Sequence, residues 1–473
     1  YPPERHFLDV CDSIGLLVVN EFTAWPEPPP GSKLARDLLA AMITRDMNHP
    51  SVILWANGNE GRENRNLDDY FAELDIQTRK VLHPWQDYDL INTLHYIDYN
   101  YLSLNGFSQR KIFLPTEFLH ALYDGGGGAG LDDFWQKMWN EPLSAGGFLW
   151  AFADESLERT DNNNQLDSKG NYAPDGILGP YHEKEGSFFT IREIWSPVYF
   201  EKRYIIPNDF DGIFNIENRY FFTNLNQCSF IVEWIKFPAP NEDEDEEIVR
   251  FEYLKINLSP GQKGLLKITL TENWETFDAL RIKMVDPHGR GVNTWTWPIK
   301  CPKFKVSELL HISSLKKPVI KPVIKETSDM FIIKVGELNF AFSKINGSIH
   351  WVKNQEQAIP ISNGPIFVSG KRNVKQVAHH YNDNDLLIEI FYDNGDCIKW
   401  TVRSNGLLDL GVTYDPGDNC LFAGITFDFP EENIGGMKWL GNGPYRVYKN
   451  RMKGTAFGVW EKTYNNTITG ESE

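Results

Sequence analysis

Two glutamates sit where a catalytic pair would have to sit. Ser51-Val52-Ile53-Leu54-Trp55-Ala56-Asn57-Gly58-Asn59-Glu60 and Ile112-Phe113-Leu114-Pro115-Thr116-Glu117 are both apolar runs that stop at a polar tip. A buried barrel strand presents a carboxylate at its C-terminal mouth in this way. Two such carboxylates suggest paired acid/base chemistry. From spacing alone, two surface glutamates that happen to follow strands would look the same.

Positioning them requires a parallel α/β unit, and the first 200 residues alternate helical and strand patterns as such a unit should. Glu4 to Ile14 carries Phe7, Leu8, Cys11 and Ile14 at helical spacing, with Gly15 as the stop before a strand from Leu16 to Val19. Ser32 to Met47 places Leu34, Leu38, Leu39, Met42 and Ile43 on one face and leads into the strand that ends at Glu60. A helix is predicted over Leu67 to Leu82, strands over Leu90 to Leu94 and before Glu117, a helix over Leu131 to Trp139, a strand over Gly147 to Phe152 and a closing helix over Phe188 to Trp195. That is about five strands, where a (β/α)8 barrel needs about eight.

Composition narrows the partners. A net charge of −18 argues against nucleic acid or an anionic membrane, and no run approaches the about 18 uninterrupted apolar residues of a membrane span. A soluble protein is expected, with its compartment open between periplasm and cytoplasm. Cys11, Cys228, Cys301, Cys397 and Cys420 are scattered without CxxC spacing and read as buried thiols, neither a zinc site nor a disulfide framework. Of the 15 tryptophans, most are read as core and a minority as sugar platforms.

Four ordered segments carry a resemblance. Arg45-Asp46-Met47-Asn48-His49-Pro50-Ser51-Val52-Ile53-Leu54-Trp55-Ala56-Asn57-Gly58-Asn59-Glu60 is similar to the acid/base segment RDxNHPSVIxWSxGNE of glycoside hydrolase family two, with Ala56 in place of the family's serine. Glu117-Phe118-Leu119-His120-Ala121 resembles the nucleophile segment EYAHAM of its β-galactosidases. Gly146-Gly147-Phe148-Leu149-Trp150-Ala151-Phe152-Ala153-Asp154-Glu155-Ser156-Leu157 resembles GGFVWDWVDQSL. Tyr1-Pro2-Pro3, Phe7 to Asp12 and Gly15 to Glu21 match the segment that follows the family's HYP.

The resemblance implies a retaining glycosidase with Glu60 as acid/base and Glu117 as nucleophile, carboxyls about 5–5.5 Å apart. It asks for a raised pKa at Glu60 and an ionised Glu117 held by hydrogen bonds. Asn59 is expected at the sugar 2-hydroxyl, although an Asn at a strand end often only caps a turn. His120 matches a substrate-contacting histidine, with a buried structural histidine as the competing view. Trp150 matches the aromatic platform, Tyr96 the tyrosine that supports the nucleophile, and Asp175 stands where the galactosidases carry asparagine. Glu21 completes the substrate-binding set.

An ungapped match puts Thr23 and Trp25 where the galactosidases hold magnesium ligands, so no metal there and no cofactor are expected; Glu27 is a nearby acid whose role is open. Asn-x-Lys is absent from residues 1 to 200, which favours a neutral galactoside over a glucuronide. Gly125 to Gly128 lacks a P-loop Lys-Ser/Thr and reads as a loop. Trp25 and Glu183-Lys184-Glu185 are read as cleft-adapting.

The remainder is β-rich. Short alternating strands over 201–303 imply an Ig-like β-sandwich, with the acidic run from Glu242 to Glu247 read as a solvated loop. Residues 304–325, with the tandem Lys-Pro-Val-Ile, read as a linker. Residues 326–473 read as a larger β-sandwich, in which Trp439-Leu440-Gly441-Asn442-Gly443-Pro444 resembles the family's WLGxGP, while Arg446, Val447 and Asn450 depart from it.

The fold class expected is α/β plus all-β: a TIM-type barrel lacking its first strands in this chain, then the two sandwiches, the second truncated. A fragment of a longer protein is expected, poorly stable alone. The leading function is an exo-acting β-galactosidase acting on an oligosaccharide or polysaccharide-derived β-glycoside, possible as a homo-oligomer. The alternatives are the same chemistry on a mannoside, glucuronide or modified galactose, and a non-catalytic carbohydrate-binding remnant.

Overall fold

Helix α1 (Arg5–Ile14) ends because Gly15 adopts φ 77° and returns its N–H to the carbonyl of Cys11. The chain then enters β1 (Val18–Phe22), crosses through α2 (Lys33–Asp46) and returns as β2 (Val52–Asn57), parallel to β1. The computed structural model describes residues 1–473 other than 24–31, 105–109, 121–129, 202–203, 241, 301–318, 418–419, 421, 446, 448–450 and 465–473. Trp25, Glu27, Gly125 to Gly128, Cys301, Arg446, Asn450 and most of the expected linker therefore lie outside the described residues.

Side-chain bonds fix β1 and β2 against their helices. Ser32 caps α2 by accepting from the Ala35 N–H. Buried Asn20 on β1 donates to Asp46 at 2.7 Å, and Asp46 also takes Arg45. Asp12 on α1 accepts from the Ser51 N–H at 2.9 Å and meets His49 Nδ1 at 2.6 Å. Leu8, Cys11, Val18, Phe22, Leu39, Ile43 and Trp55 pack between the two layers.

The helical pattern read over Leu67 to Leu82 resolves into two elements, α3 (Asp68–Leu74) and β3 (Val81–Leu82). Asp75 is the cause: its buried carboxylate accepts from the N–H groups of Gln77 and Arg79, the Arg79 guanidinium and Trp55 Nε1. Those bonds hold the backbone out of the helix. Strand β3 pairs parallel with β2.

A second three-stranded sheet begins with the hairpin β4 (Asp87–Tyr88) and β5 (Ile91–Asn92). After α4 (Tyr99–Leu104) comes β6 (Ile112–Phe113), parallel to β5. Beyond β6 the pairing is carried by single parallel bridges, Phe113 to Ser144, Phe118 to Leu149 and Ala153 to Leu178. Gly147 to Phe152 is thus bridged at Leu149 and is not a continuous strand.

Helix α5 (Leu131–Asn140), the hairpin β7 (Ser156–Arg159) and β8 (Gln165–Ser168), and helix α6 (Gly186–Ile194) complete this unit. Phe113, Phe118, Leu131, Phe134 and Met138 pack with Ile191 and Ile194.

Other differences have equally local reasons. The buried stripe of α2 is Ala35, Leu39, Met42, Ile43 and Asp46, so Leu34 and Leu38 fall beside it and are exposed. On α1, Leu8 and Cys11 are buried, while Phe7 and Ile14 face solvent. Cys11 and Cys228 are buried thiols, but Cys397 and Cys420 are partly exposed.

Two sheets follow, one of β9 (Val198–Phe200), β10 (Ile213–Asn218) and β13 (Lys263–Lys267), the other of β11 (Ser229–Lys236), β12 (Glu247–Leu254), β14 (Ala279–Val285) and β15 (Gly291–Pro298). Phe214, Phe230, Val232, Trp234, Leu280, Ile282 and Trp297 fill the space between them. Glu246, in the acidic run read as solvated, is exposed and pairs with Arg281.

From Val323 to Thr463 the chain is antiparallel β, with a second core of Phe331, Ile333, Phe342, Ile388, Ile390, Ile398 and Trp400. Helix α6 ties these parts to the barrel. Arg192 donates to the carbonyls of Gly291 and Val292 at 2.6 Å each, and Glu193 accepts from the Gly454 N–H at 2.6 Å. Among the described residues, no helix is long and apolar enough to cross a membrane.

Candidate active site

Glu60 is delivered by the turn that follows β2. Gly58 and Gly61 both have φ 76°, and Glu60 itself has φ 48°. A Cβ at Gly58 would lie 2.8 Å from the Arg62 carbonyl oxygen, so the tight turn depends on glycine there.

Beneath the turn, Asn57 donates to Asp68 at 2.7 Å and to the Asn64 carbonyl at 3.0 Å, and His83 Nε2 lies 3.0 Å from the same Asp68 oxygen. Glu117 follows β6. Its backbone carbonyl accepts from the Tyr96 N–H at 3.0 Å, which fastens the end of the β5 segment to it.

These tips converge. One carboxylate oxygen of Glu60, one of Glu117 and a ring nitrogen of His95 all lie within 4.8 Å of one another. Tyr96 O–H donates to Glu117 Oε2 at 2.5 Å and Asn59 Nδ2 donates to Glu117 Oε1 at 3.2 Å. Burial pushes the Glu117 carboxyl upward, the Tyr96 and Asn59 bonds pull it back, and the charges of Glu60 and Glu21 push it up again.

The division of burial differs from the one asked of the sequence. Glu117 is the more enclosed carboxylate, 12% exposed against 39% for Glu60.

A second group adjoins the first. The Tyr96 and His120 rings lie 5.8 Å apart, His120 Nε2 is 3.5 Å from Asp175 Oδ2, and Trp150 Nε1 donates to that oxygen at 3.1 Å. The Asp175 carboxyl is pushed up to about 6, first by burial and then by the charge of Glu155. Asn59, Tyr96, His120, Trp150 and Asp175 are thus linked by contact to the two glutamates or to each other. Glu21, at the end of β1, acts on Glu117 through its charge.

Two residues, His95 and Asp154, were not singled out from the sequence. His95 is fully buried between the two glutamates, and burial lowers its pKa to about 4. Tyr96 at φ 45° breaks strand alternation, so His95 and Tyr96 both reach Glu117. The signal available was the position of His95 beside a predicted site tyrosine at a strand end. Asp154 is raised by burial while accepting from the Gly176 N–H at 2.8 Å. Glu185, read as part of a cleft-adapting loop, is buried and pushed up to about 8, first by burial and then by the charges of Asp154 and Glu183.

A separate cavity of about 590 Å³ is lined by Trp135, Trp139, Trp195 and Arg219 among others and shares no residue with this site. Its size does not make it the chemical centre, because it holds no converging carboxylates.

Residues 29–176, which span β2, β6 and both glutamates, match the model of the glycosyl hydrolases family 2 TIM barrel domain. This stretch is similar to the family 2 barrel domain. A β-galactosidase of Priestia megaterium is 27% identical over 272 residues, 49% of this chain and 25% of that protein. A β-galactosidase of Actinobacillus pleuropneumoniae is 23% identical over 415 residues, 82% of this chain and 38% of that protein. Among solved structures, a family 2 member from Bacteroides cellulosilyticus is 14% identical with a TM-score of 0.33, covering 85% of this chain and 55% of that one. The chain spans about a quarter to two fifths of the length of these two curated relatives.

Proposed function

We propose that the chain carries the catalytic centre of a retaining β-glycosidase that acts on terminal β-galactosides. The observation that carries this reading is the approach of Glu60 and Glu117, oxygens within 4.8 Å. Retention wants carboxyls about 5–5.5 Å apart, and inversion needs about 6.5–9.5 Å to admit a water.

In this reading Glu117 Oε attacks the anomeric carbon while Glu60 gives its proton to the departing glycosidic oxygen. Glu60 then takes a proton from water, which attacks the glycosyl ester and frees Glu117. The two donors on Glu117 suit a nucleophile that must stay ionised despite burial. The greater exposure of Glu60 suits a group that serves the leaving group and water. Asn59 is placed to bridge Glu117 and a sugar hydroxyl, and Trp150 offers a ring face beside Asp175.

Asp175 also supports a neutral sugar. A buried carboxyl next to His120 and Trp150, with Glu155 close enough to raise it, would repel a uronate. The barrel over 1–200, the sandwich over 201–303 and the sandwich over 326–473 are proposed as the working units.

A panel of 4-nitrophenyl β-glycosides, followed by proton NMR of the first product anomer, tests the reading. The β-galactoside should be turned over best and should release the β-anomer first. Preference for the glucuronide, or initial release of the α-anomer, would overturn it.

A further inference from the structure

One of the two ring nitrogens of His95 is engaged within the protein: Nε2 meets Thr116 Oγ1 at 2.9 Å, and that hydroxyl also lies 3.3 Å from the Thr93 carbonyl. Nδ1 is the ring nitrogen left for another contact.

Nδ1 is buried and has no hydrogen-bond partner among the described residues. It faces Glu60 Oε1 at 3.7 Å and Glu117 Oε2 at 3.5 Å. Nδ1 and the two carboxyl groups thus face one another, and the donors that reach Glu117, Tyr96 and Asn59, do not reach Nδ1.

The separations distinguish the possible occupants. At 3.5 and 3.7 Å they are too long for direct hydrogen bonds. They are short for a bridging water, whose two bonds of about 2.8 Å at a tetrahedral angle span about 4.5 Å. A tetrahedral metal with bonds of about 2.1 Å places its ligand atoms about 3.4 Å apart. The two edges from His95 match that span. The edge between Glu60 and Glu117, within 4.8 Å, closes by a small swing of Glu60, the most exposed of the three.

We propose that His95 Nδ1, Glu60 and Glu117 form a binding site for a zinc-type divalent ion. One imidazole with two carboxylates selects zinc over magnesium or calcium, which prefer all-oxygen shells. Supporting bonds are present: Nε2 of His95 is engaged by Thr116, and Glu117 by Asn59 and Tyr96. An ion bound there would engage both glutamates and so exclude a glycoside.

Calorimetric titration of the purified chain with Zn²⁺ at neutral pH tests the site directly, with Co²⁺ visible absorption to report tetrahedral coordination. Neither readout needs turnover, so the result stands apart from the glycosidase reading. One site is expected, weakened at least about tenfold by His95→Gln and by Glu60→Gln. It should be unchanged by His6→Ala, an exposed control against the acidic surface as a general cation binder. If His95→Gln fails to fold, Glu60→Gln decides, because that side chain lies at the exposed mouth. Absence of a saturable site, or affinity and Co²⁺ bands untouched in Glu60→Gln, would overturn the proposal.

Discussion

Replacing Tyr96 with Phe removes one atom from the site and leaves the ring that contacts His95 and His120, both at 5.8 Å. The lost O–H donates to Glu117 Oε2 at 2.5 Å, and the donor that remains is Asn59 at 3.2 Å. A hydrogen bond to a charged group is worth about 1.5–3 kcal/mol. Losing it raises the Glu117 pKa, because the bond favours the charged form. The direction follows from the charge state. Burial and the Glu60 and Glu21 charges already push this carboxyl up, and the bond from Tyr96 opposes them.

The assay is kcat/KM for a nitrophenyl β-galactoside against pH, which reports groups of the free enzyme. The acid limb should move to higher pH, with a smaller rate loss on the alkaline side of the limb. An unmoved acid limb with a uniform rate loss would refute the claim that Tyr96 holds the charge of Glu117.

Three further outcomes follow from the same bonds. Asp75→Ala leaves Arg79, 7% exposed, as a buried charge without its carboxylate and should cost about 3–5 kcal/mol, read as a lower urea midpoint by tryptophan fluorescence. Gly58→Ala forces φ 76° on a residue with a Cβ and meets the Arg62 carbonyl; thermal melts should show a loss of about 1–3 kcal/mol, and activity should fall with the displaced Glu60 turn. Asp175, raised in the fold from 3.8 to about 6, favours folding in its protonated form, a contribution present below pH 3.8 and lost as pH rises to about 6. Asp175→Asn should therefore gain stability relative to the parent across that window, by about 2–3 kcal/mol, and equal pH dependence of the two melting temperatures would contradict it.

The strand-end placement of Glu60 and Glu117 was legible because a β-branched run ending in a glycine turn is a local signal, and the partners Asn59 and Tyr96 adjoin such ends. His95 was not, since its importance comes from a positive φ at Tyr96 and a hydroxyl 21 residues away in sequence, neither of which periodicity reports. The end of α3 was missed for a similar reason: Asp75 halts it with side-chain bonds, while the apolar spacing runs on. Strand β3 has two residues, too few to show a period. Burial was harder still. Which of two glutamates is more enclosed depends on everything stacked above the barrel mouth, and Glu185, in a stretch that reads as a polar loop, is buried near Arg451 from the far end of the chain.

The central claim, that Glu117 attacks the sugar and Glu60 serves as acid and base, is tested most directly by trapping the covalent intermediate. An activated 2-deoxy-2-fluoro-β-galactoside, proteolysis and tandem mass spectrometry locate the ester. The account predicts a single fluorogalactosyl group on Glu117; a group on Glu60, or slow turnover of the reagent with no covalent adduct, would contradict it.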